Sequence, residues 1–567
     1  MRKEISKEVT FEELLERKNN YKGISPENQQ KIQQVYDNIK DIERDFAQRV
    51  VLLSDYDCDG ICSALIMKKI FPDAQVIIGD RFKDGYGVPS VVLQHGDMVI
   101  CTDIGSSDIQ KLTNIGMQTS IMPYVIDHHE KDEYIKDYEE IQPLKVLNFT
   151  GEKDAPDYCG TGLSMKLYEC DYLRRISEGV PKESLERELN TVKVIGMIGT
   201  IADMVDVNNP FDENREIIKE GFDTLKAVFA GEKEIDDTLR LFLEVCKVDE
   251  EVKNLTTKLI GFNVSPPINA LGRLESYGGQ KAFDILSTPL FTEDGKVKKS
   301  VFDGIEHIKN TNQHRKDRMD EIMQTPSVKE AIERAKADDV NITVFVDKHI
   351  EQGLTGLVAN KIKEATGKPA IVLTEGADGN YVGSGRNAEG YPNLYEYARN
   401  EHMLRGGGHA DAIGLSVLPN KLEEYLQAVH DRYKDVEVVV EREYLKDFKN
   451  FTVENFLKLE PFGEDFPVPM IKTDAVKIEK KVGLPFKNPR PDWAFTEVDG
   501  VKFSDFSKAQ NWHEGDVVHI VAQPNYSEFR GVHLDYQMIE TQTGEIKELS
   551  KNDVNKPVQK TAGEIKE

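Results

Sequence analysis

Four short apolar runs near the amino-terminal third of the chain, VVLLSD (50–55), AQVIIGD (74–80), DMVICTD (97–103) and MPYVID (122–127), are rich in β-branched residues and each ends on an aspartate. Helix-length segments separate them, and that alternation predicts a parallel α/β sheet over residues 49–214. In open sheets of this kind ligands collect beyond the carboxyl ends of the strands, so the terminal acids are expected to converge there. Upstream, residues 1–48 are polar, with Phe11, Leu14 and Leu15, then Ile32, Val35 and Ile39, at helical spacing. They predict an amphipathic helical extension that packs as an arm.

A second α/β unit is predicted over residues 336–432 from ITVFVD (342–347), a helix near 356–365, KPAIVLT (368–374) and YVGSGRN (381–387). Residues 215–335 lie between the two units and read as a charged helical connector. Beyond a charged helix near 421–434, runs such as VVHIVAQP (517–524) and GVHLDYQMI (531–539) with turn signals between them predict a small antiparallel barrel over 433–540. The Lys/Glu/Thr-rich segment 541–567 has no apolar periodicity and predicts a flexible tail.

Composition narrows the chemistry. With 567 residues and 39% hydrophobic content the chain can fill several cores. A net charge of -27 is far from the basic footprint of a protein that grips nucleic acid over its whole surface, so an anionic polymer would have to be held by local basic sites or bound cations. Six cysteines, at 58, 62, 101, 159, 170 and 246, form no CxxC pair, which excludes a zinc knuckle and a secreted disulfide scaffold. No signal-like apolar region or membrane-length apolar run occurs, and the expectation is a soluble cytoplasmic protein, monomeric and without membrane contact.

Asp55, Asp57 and Asp59, followed by Gly60, crowd three carboxylates at the end of the first predicted strand. Such crowding is tolerable mainly when a divalent cation neutralises it. A calcium-binding EF-hand loop would need Glu at its twelfth position, which is Ile66 here. DHHE (127–130) adds an aspartate and two histidines after another strand, and a mixed His/carboxylate set suits Mn²⁺ better than a pure oxygen cage does. Asp103 and Asp203, the latter in GTIADMVD (199–206), complete enough ligands for two cations that share bridging groups, the arrangement that catalyses displacement at phosphorus. In the second unit, LRGGGHADAIG (404–414) reads as a glycine turn before His409 that lets a ligand approach the backbone. GSGRN (383–387) offers a hydroxyl and a guanidinium for a phosphate, and INALGRL (268–274) presents Arg273 in a glycine-containing loop.

With these motifs in place, the sequence resembles the DHH phosphoesterase superfamily and, within it, the RecJ-type single-strand-specific exonucleases. DYDCDG, TDIGSSD, DHHE and GTIADMVD match the four metal-binding motifs in order. DRFKDGYGVP (80–89), CGTGLS (159–164), ENREIIKEG (213–221), INALGR, GLTGLVANKI (353–362), GSGRN, GGGHADAIG and LEPFGEDFPVP (459–469) extend the resemblance over residues 50–540. The sequence departs from the pattern at Ser54, where a glycine is common, and at DIGSSD, where a D-N-G type is usual; neither change removes an acid.

The resemblance implies a DHH catalytic domain over 49–214, a DHH-associated substrate-binding domain over 336–432 and an OB-fold after it. It implies Asp57, Asp59, Asp103, His128 and Asp203 as ligands of two Mn²⁺ or Mg²⁺ ions, with Asp55 a ligand or a close neighbour. By the same resemblance Asp127 orients the imidazoles, His129 and Arg273 touch the scissile phosphate, and Arg81, Ser384 and Arg386 hold a 5′-terminal phosphate. His409 would face the substrate backbone. The implied activity is hydrolysis of single-stranded DNA from the 5′ end to 5′-mononucleotides in repair or recombination, with RNA an open alternative and replication or recombination proteins as expected partners. Trp512, Tyr526 and Phe529 are candidate base-stacking residues. Two rival readings are a nanoRNase or cyclic-dinucleotide phosphodiesterase of the same superfamily, which would lack the predicted barrel, and a non-catalytic replication scaffold, which would lose metal ligands.

Overall fold

The computed structural model describes residues 2–478 apart from Tyr86, Asp132, 338–339, His409 and Glu464, and beyond them the segments 482–483, 494–498, 501–505, 512–527 and 533–542. Its residues divide into a larger unit, 17–436 with 460–467, and a smaller one, 1–16 with 437–459 and residues from 468 on. Among the described residues no helix is long and apolar enough to cross a membrane.

The amino-terminal segment is not helical throughout. Strand β1 (Arg2–Val9) precedes helices α1 (Phe11–Lys18) and α2 (Pro26–Asp45). Alternating polar and apolar residues in RKEISKEV suit a strand, and β1 pairs in parallel with β12 (Val438–Leu445), a partner far away in sequence that no local pattern announces. Helix α2 starts as its sequence predicts: the Ser25 side chain accepts from the Asn28 N–H at 3.1 Å and Pro26 occupies the first turn. It buries Ile32, Val35, Tyr36 and Ile39. The Tyr36 hydroxyl donates to buried Asp171 at 2.7 Å.

The larger unit opens with β2 (Arg49–Ser54), α3 (Cys58–Ile70), β3 (Gln75–Ile78), β4 (Asp97–Thr102), α4 (Ile109–Thr119), β5 (Tyr124–Ile126), α5 (Glu133–Ile141), β6 (Val146–Leu147), α6 (Gly160–Ser177) and α7 (Lys182–Asp203). The sheet is parallel throughout, in the order β3-β2-β4-β5-β6. Both faces are covered, which is why its strands read as continuous apolar runs. Register decides which residues meet at the sheet's edge. Ser54 pairs with Thr102 and Thr102 with Ile126, so the residues immediately beyond, Asp55, Asp103 and Asp127, leave the sheet side by side. The two-residue β6 was too short to be legible as a strand.

Seven α-helices and a short 3-10 helix (Asp249–Asn254) fill the predicted connector: α8 (Asn214–Phe229), α9 (Asp237–Val245), α10 (Thr257–Asn263), α11 (Ser265–Leu274), α12 (Gly278–Ser287), α13 (Lys299–Gln324) and α14 (Pro326–Ala337). The second sheet comes next in the chain, with β7 (Thr343–Val346), α15 (Thr355–Thr366), β8 (Ala370–Glu375), β9 (Tyr381–Arg386), α16 (Leu394–Ala398), β10 (Met403–Gly408), β11 (Ala412–Val417) and α17 (Leu422–Tyr433). Its order is β10-β11-β9-β8-β7. Only β7 and β8 run parallel; β9, β10 and β11 add antiparallel strands.

The smaller unit holds β1, β12, α18 (Val453–Leu459) and a mainly antiparallel sheet of β13 (Ile471–Lys472), β14 (Val476–Lys477), β15 (Val482–Gly483), β16 (Ala494–Val498), β17 (Val501–Asp505), β18 (Val517–Ser527) and β19 (His533–Gln542). The strand order is β13-β18-β19-β17-β16-β15, with β14 also on β18 and β17 parallel to β19. Among the described residues no pairing closes this sheet into the expected barrel. Trp512 is a core residue rather than a stacking platform: it is 1% exposed and its indole N–H donates to Asp505 at 2.8 Å. Tyr526 is half-buried on β18, and Phe529 and most of 541–567 lie outside the described residues.

Candidate metal centre

The first acidic motif is a strand end that becomes a helix start. Asp57 is the N-cap of α3, and its side chain accepts from the Gly60 N–H at 3.1 Å. Asp59 points from the first turn of α3 to the first turn of α6, where its two oxygens accept from the Gly160 N–H at 2.8 Å and the Thr161 N–H at 2.9 Å. A carboxylate there is favoured by the free amides of the helix N-terminus. Gly60 is required for close approach, since a Cβ would sit 2.5 Å from the Asp55 carbonyl oxygen. A Cβ at Gly160 would sit 2.6 Å from that of Asp103. CGTGLS thus serves to bring an amide-rich helix start against two of the acids.

Asp103 leaves β4 in the left-handed region, at φ 60°, and is 2% exposed. Its Oδ1 is buried with no hydrogen-bond donor and lies 3.2 Å from His128 Nε2. His128 also approaches Asp59 Oδ2 at 3.9 Å through Nε2 and Asp203 Oδ2 at 3.7 Å through Nδ1. Asp203 is the last residue of α7. Asp127 occupies the buried position behind the histidines. Its Oδ1 accepts from the His128 N–H at 2.8 Å and lies 2.8 Å from His129 Nδ1, and its Oδ2 accepts from the Ser106 N–H at 2.8 Å.

Three overlapping groups result, in each of which the ligand atoms lie within 4.8 Å of one another: Asp55 with Asp57 and Asp103; Asp59 with His128 and Asp203; and Asp103 with His128 and His129. Asp103 and His128 are each shared by two of the groups. The donor set of carboxylates and imidazole fits Mn²⁺ or Mg²⁺, and the orphaned buried oxygen of Asp103 is an acceptor with no protein donor.

Electrostatics show the same demand for positive charge. Burial, then the charge of Asp57, pushes Asp55 up to about 7. Burial and Asp59 raise Asp57. Burial, then Asp59, Asp57, Asp55 and Asp203, drive Asp103 well above the carboxylate range. Burial pushes Asp203 up to about 6, with His128 opposing and Asp59 and Asp57 adding to the rise. Asp127 goes the other way: burial would raise it, but the charge and hydrogen bond of His129, with His128 and the Ser106 N–H, hold it below the usual range. His129 is correspondingly pushed up to about 10, burial being outweighed by Asp127.

The Arg81 guanidinium lies 4.4 Å over the Tyr56 ring, beside the first acidic motif. Its neighbour Asp80 accepts from the Phe82 and Tyr277 N–H groups, both at 3.0 Å. Arg273, Ser384 and Arg386 meet around residues 353–356, a role the sequence did not reveal. Arg273 Nη1 donates to the Gly353 carbonyl at 3.4 Å, Thr355 Oγ1 lies 3.3 Å from Ser384 Oγ, and a Cβ at Gly356 would be 2.8 Å from Arg386 Nη2. Two local expectations change. Arg273 lies in the last turn of helix α11 rather than in a loop, because the apolar spacing of SPPINALGRL continues through the glycine. The glycines 406–408 belong to strand β10 rather than to a turn. His409 lies outside the described residues.

Supporting residues missed in the sequence are those whose role depends on distant partners. Asn269 accepts from the Cys58 N–H at 2.8 Å and so holds α11 against the start of α3. Asn148 donates to Ser106 Oγ at 2.8 Å and to the His129 carbonyl at 2.9 Å.

The family model described as "DHH family, N-terminal domain" matches residues 49–197, and the DHHA1 domain model matches residues 339–435. The single-stranded-DNA-specific exonuclease RecJ of Dickeya dadantii is 27% identical over 415 residues, which is 68% of this chain and 66% of that relative. The RecJ of Bacillus subtilis is 26% identical over 464 residues, 77% of this chain and 53% of that relative. The chain therefore spans just under two thirds of the length of the first of these curated relatives and about half of the second. The crystal structure of RecJ from Thermus thermophilus in complex with Mn²⁺ superposes with a TM-score of 0.71 at 17% identity, covering 96% of this chain and 80% of that one. With a DHH N-terminal domain match followed by a DHHA1 match on one chain, and similarity to RecJ exonucleases over about two thirds of its length or more, the chain is similar to the RecJ-type DHH phosphoesterases.

Proposed function

We propose that this protein is a metal-dependent exonuclease that hydrolyses single-stranded DNA 5′→3′ to 5′-mononucleotides, acting in repair or recombination. The observation that carries the reading is the overlap of three candidate ligand groups on Asp103 and His128, which would give adjacent places for two cations within one partly buried cluster. Mn²⁺ or Mg²⁺ bound there would supply Lewis-acid stabilisation of a phosphodiester undergoing displacement. Asp57, Asp59, Asp103, His128 and Asp203 are the proposed ligands, and Asp55 completes the set beside Asp57.

The chain's own residues supply the rest. Asp127 fixes the His129 ring through Nδ1, and Nε2 would donate to a nonbridging phosphate oxygen; a protonated imidazole is suited to that charge. Arg273 adds a guanidinium fork to the same phosphate. Arg81, Ser384 and Arg386 take the 5′-terminal phosphate, with the carbonyl at Gly385 accepting from Arg386 Nη1 at 2.7 Å and so fixing its side chain. His409 is assigned to the substrate backbone. A 5′ end held at a fixed distance from the proposed ligand residues would set the polarity and the one-nucleotide step.

The test is digestion of long single strands blocked at the 5′ or the 3′ end, with Mn²⁺ and with EDTA. Mononucleotide release in Mn²⁺ from 3′-blocked but not 5′-blocked strands supports the reading. Release from the 3′ end, activity confined to dinucleotides, or activity unchanged by EDTA overturns it.

A further inference from the structure

The segment Glu460 to Pro467 stands apart from its surroundings in sequence. The residues before it, 437–459, and those after it belong to the smaller unit, whereas 460–467 pack within the larger one. We propose that this segment is a strap that positions the chain immediately after Asp203, so that Gly463, Phe466 and Arg215 tune the divalent-cation affinity of the Asp59, His128 and Asp203 group. The inference rests on the metal-dependent reading of that group.

The segment after Asp203 needs external support. Met204 ends α7 in the left-handed region at φ 59°, and the chain turns away through buried Val205 and Val207 toward α8. From one side Asn214, the first residue of α8, grips this stretch: its Nδ2 donates to the Asp206 carbonyl at 2.9 Å and the Asp157 carbonyl at 2.8 Å. From the other side the strap lies directly against it. A Cβ at Gly463 would fall 2.9 Å from the Val205 carbonyl oxygen and 2.9 Å from Val207 Cγ2, so only glycine allows this backbone approach. The contact is two residues from the proposed ligand.

The strap is itself clamped at several points. Glu460 is buried; its Oε2 accepts from the Thr257 hydroxyl at 3.0 Å and the Phe462 N–H at 3.1 Å, and its carbonyl accepts from Lys18 Nζ at 2.7 Å. Arg215, in the first turn of α8 and 6% exposed, donates through Nη1 to the Pro461 carbonyl at 3.1 Å and lies 4.7 Å over the Phe466 ring. Phe466 in turn stacks on Phe462 with centroids 6.1 Å apart, and the Gly463 N–H closes the turn onto the Phe466 carbonyl at 3.1 Å. A carboxylate ligand holds a cation only within a narrow range of positions, and the groups that hold such a ligand are worth as much to affinity as many direct contacts. The strap residues act as positioning residues through Val205 and Val207.

The experiment uses the EDTA-stripped full chain and counts bound Mn²⁺ by electron paramagnetic resonance, with single-strand digestion measured separately. Gly463→Ala and Phe466→Leu are expected to weaken one class of Mn²⁺ site about 10-fold, to leave KM for the DNA unchanged and to regain kcat at saturating Mn²⁺. Phe466→Tyr, which keeps the stacked ring, is expected to retain wild-type affinity. Folded Phe466→Leu protein with wild-type Mn²⁺ affinity, or with both classes of site weakened alike, overturns the strap; that variant decides if Gly463→Ala fails to fold. A wild-type chain that binds no Mn²⁺ overturns the metal-dependent reading instead, which separates the two failures.

Discussion

Asp103→Asn should make the metal-free protein more stable while removing its ability to hold two cations. In EDTA the Asp103 carboxylate has a buried oxygen without a donor, four neighbouring aspartates that oppose its ionisation and a left-handed backbone. Asparagine keeps the shape, tolerates the same backbone and needs no proton taken up on folding, as the raised Asp103 carboxyl does. Removing that burial penalty is worth about 1–3 kcal/mol. A cooperative unit of roughly 400 residues has an unfolding entropy of about 0.8 kcal/mol/K, so the expected rise in Tm is about 1–4 °C. Thermal unfolding followed by circular dichroism with EDTA, then with Mn²⁺, reads both effects. Mn²⁺ at about 100 times its Kd should stabilise the wild type by about 2.7 kcal/mol per site, and the variant by clearly less. An Asn variant that is less stable in EDTA, or that gains as much from Mn²⁺ as the wild type, would refute the assignment of Asp103 as a shared ligand.

Asp127→Asn should bring the His129 imidazole down from about 10 toward its ordinary range, because the charge that outweighs its burial is gone; imidazole proton NMR reads the shift, and kcat should fall on the order of 10²-fold with KM little changed. Tyr277→Gly should raise stability by about 1 kcal/mol in urea unfolding, since Tyr277 sits at φ 55°, which glycine adopts without a Cβ penalty. Arg386→Ala should erase any preference for 5′-phosphorylated over 5′-hydroxyl strands while leaving Mn²⁺ binding intact, compared by initial rates on the two substrates. The EDTA-treated protein should become more stable as pH falls from 8 to 5.5. Asp55, Asp203, Asp212 and Glu460 are raised by burial to about 7, 6, 8 and 7, so the folded state binds more protons than the unfolded chain over that window and loses stability as pH rises through it. A denaturation midpoint that is flat or rises from pH 5.5 to 8 would contradict those shifts.

The acidic cluster was legible because its geometry follows from two local rules: buried parallel strands read as apolar runs, and in-register strands deliver the next residue of each to one end of the sheet. Asp55, Asp103 and Asp127 follow from that alone. The supporting contacts were not legible, because Asn269 and Asn148 are ordinary polar residues until folding brings Cys58 and His129 to them. Strand β1 was missed for the same reason: its partner β12 lies more than four hundred residues away, and a short helix-compatible polar segment gives no sign of it. Arg273 was misplaced because a glycine inside INALGR looks like a loop. Gly272 instead keeps the helix going while it packs close to α3's approach, where a Cβ would lie 3.1 Å from the Tyr56 carbonyl oxygen. The acidic surplus acquires a physical meaning at this point. Several of the most strongly shifted acids face one another across strand and helix ends, so the fold retains electrostatic strain that a bound cation would relieve, which would make cation binding and stability two readings of the same charges.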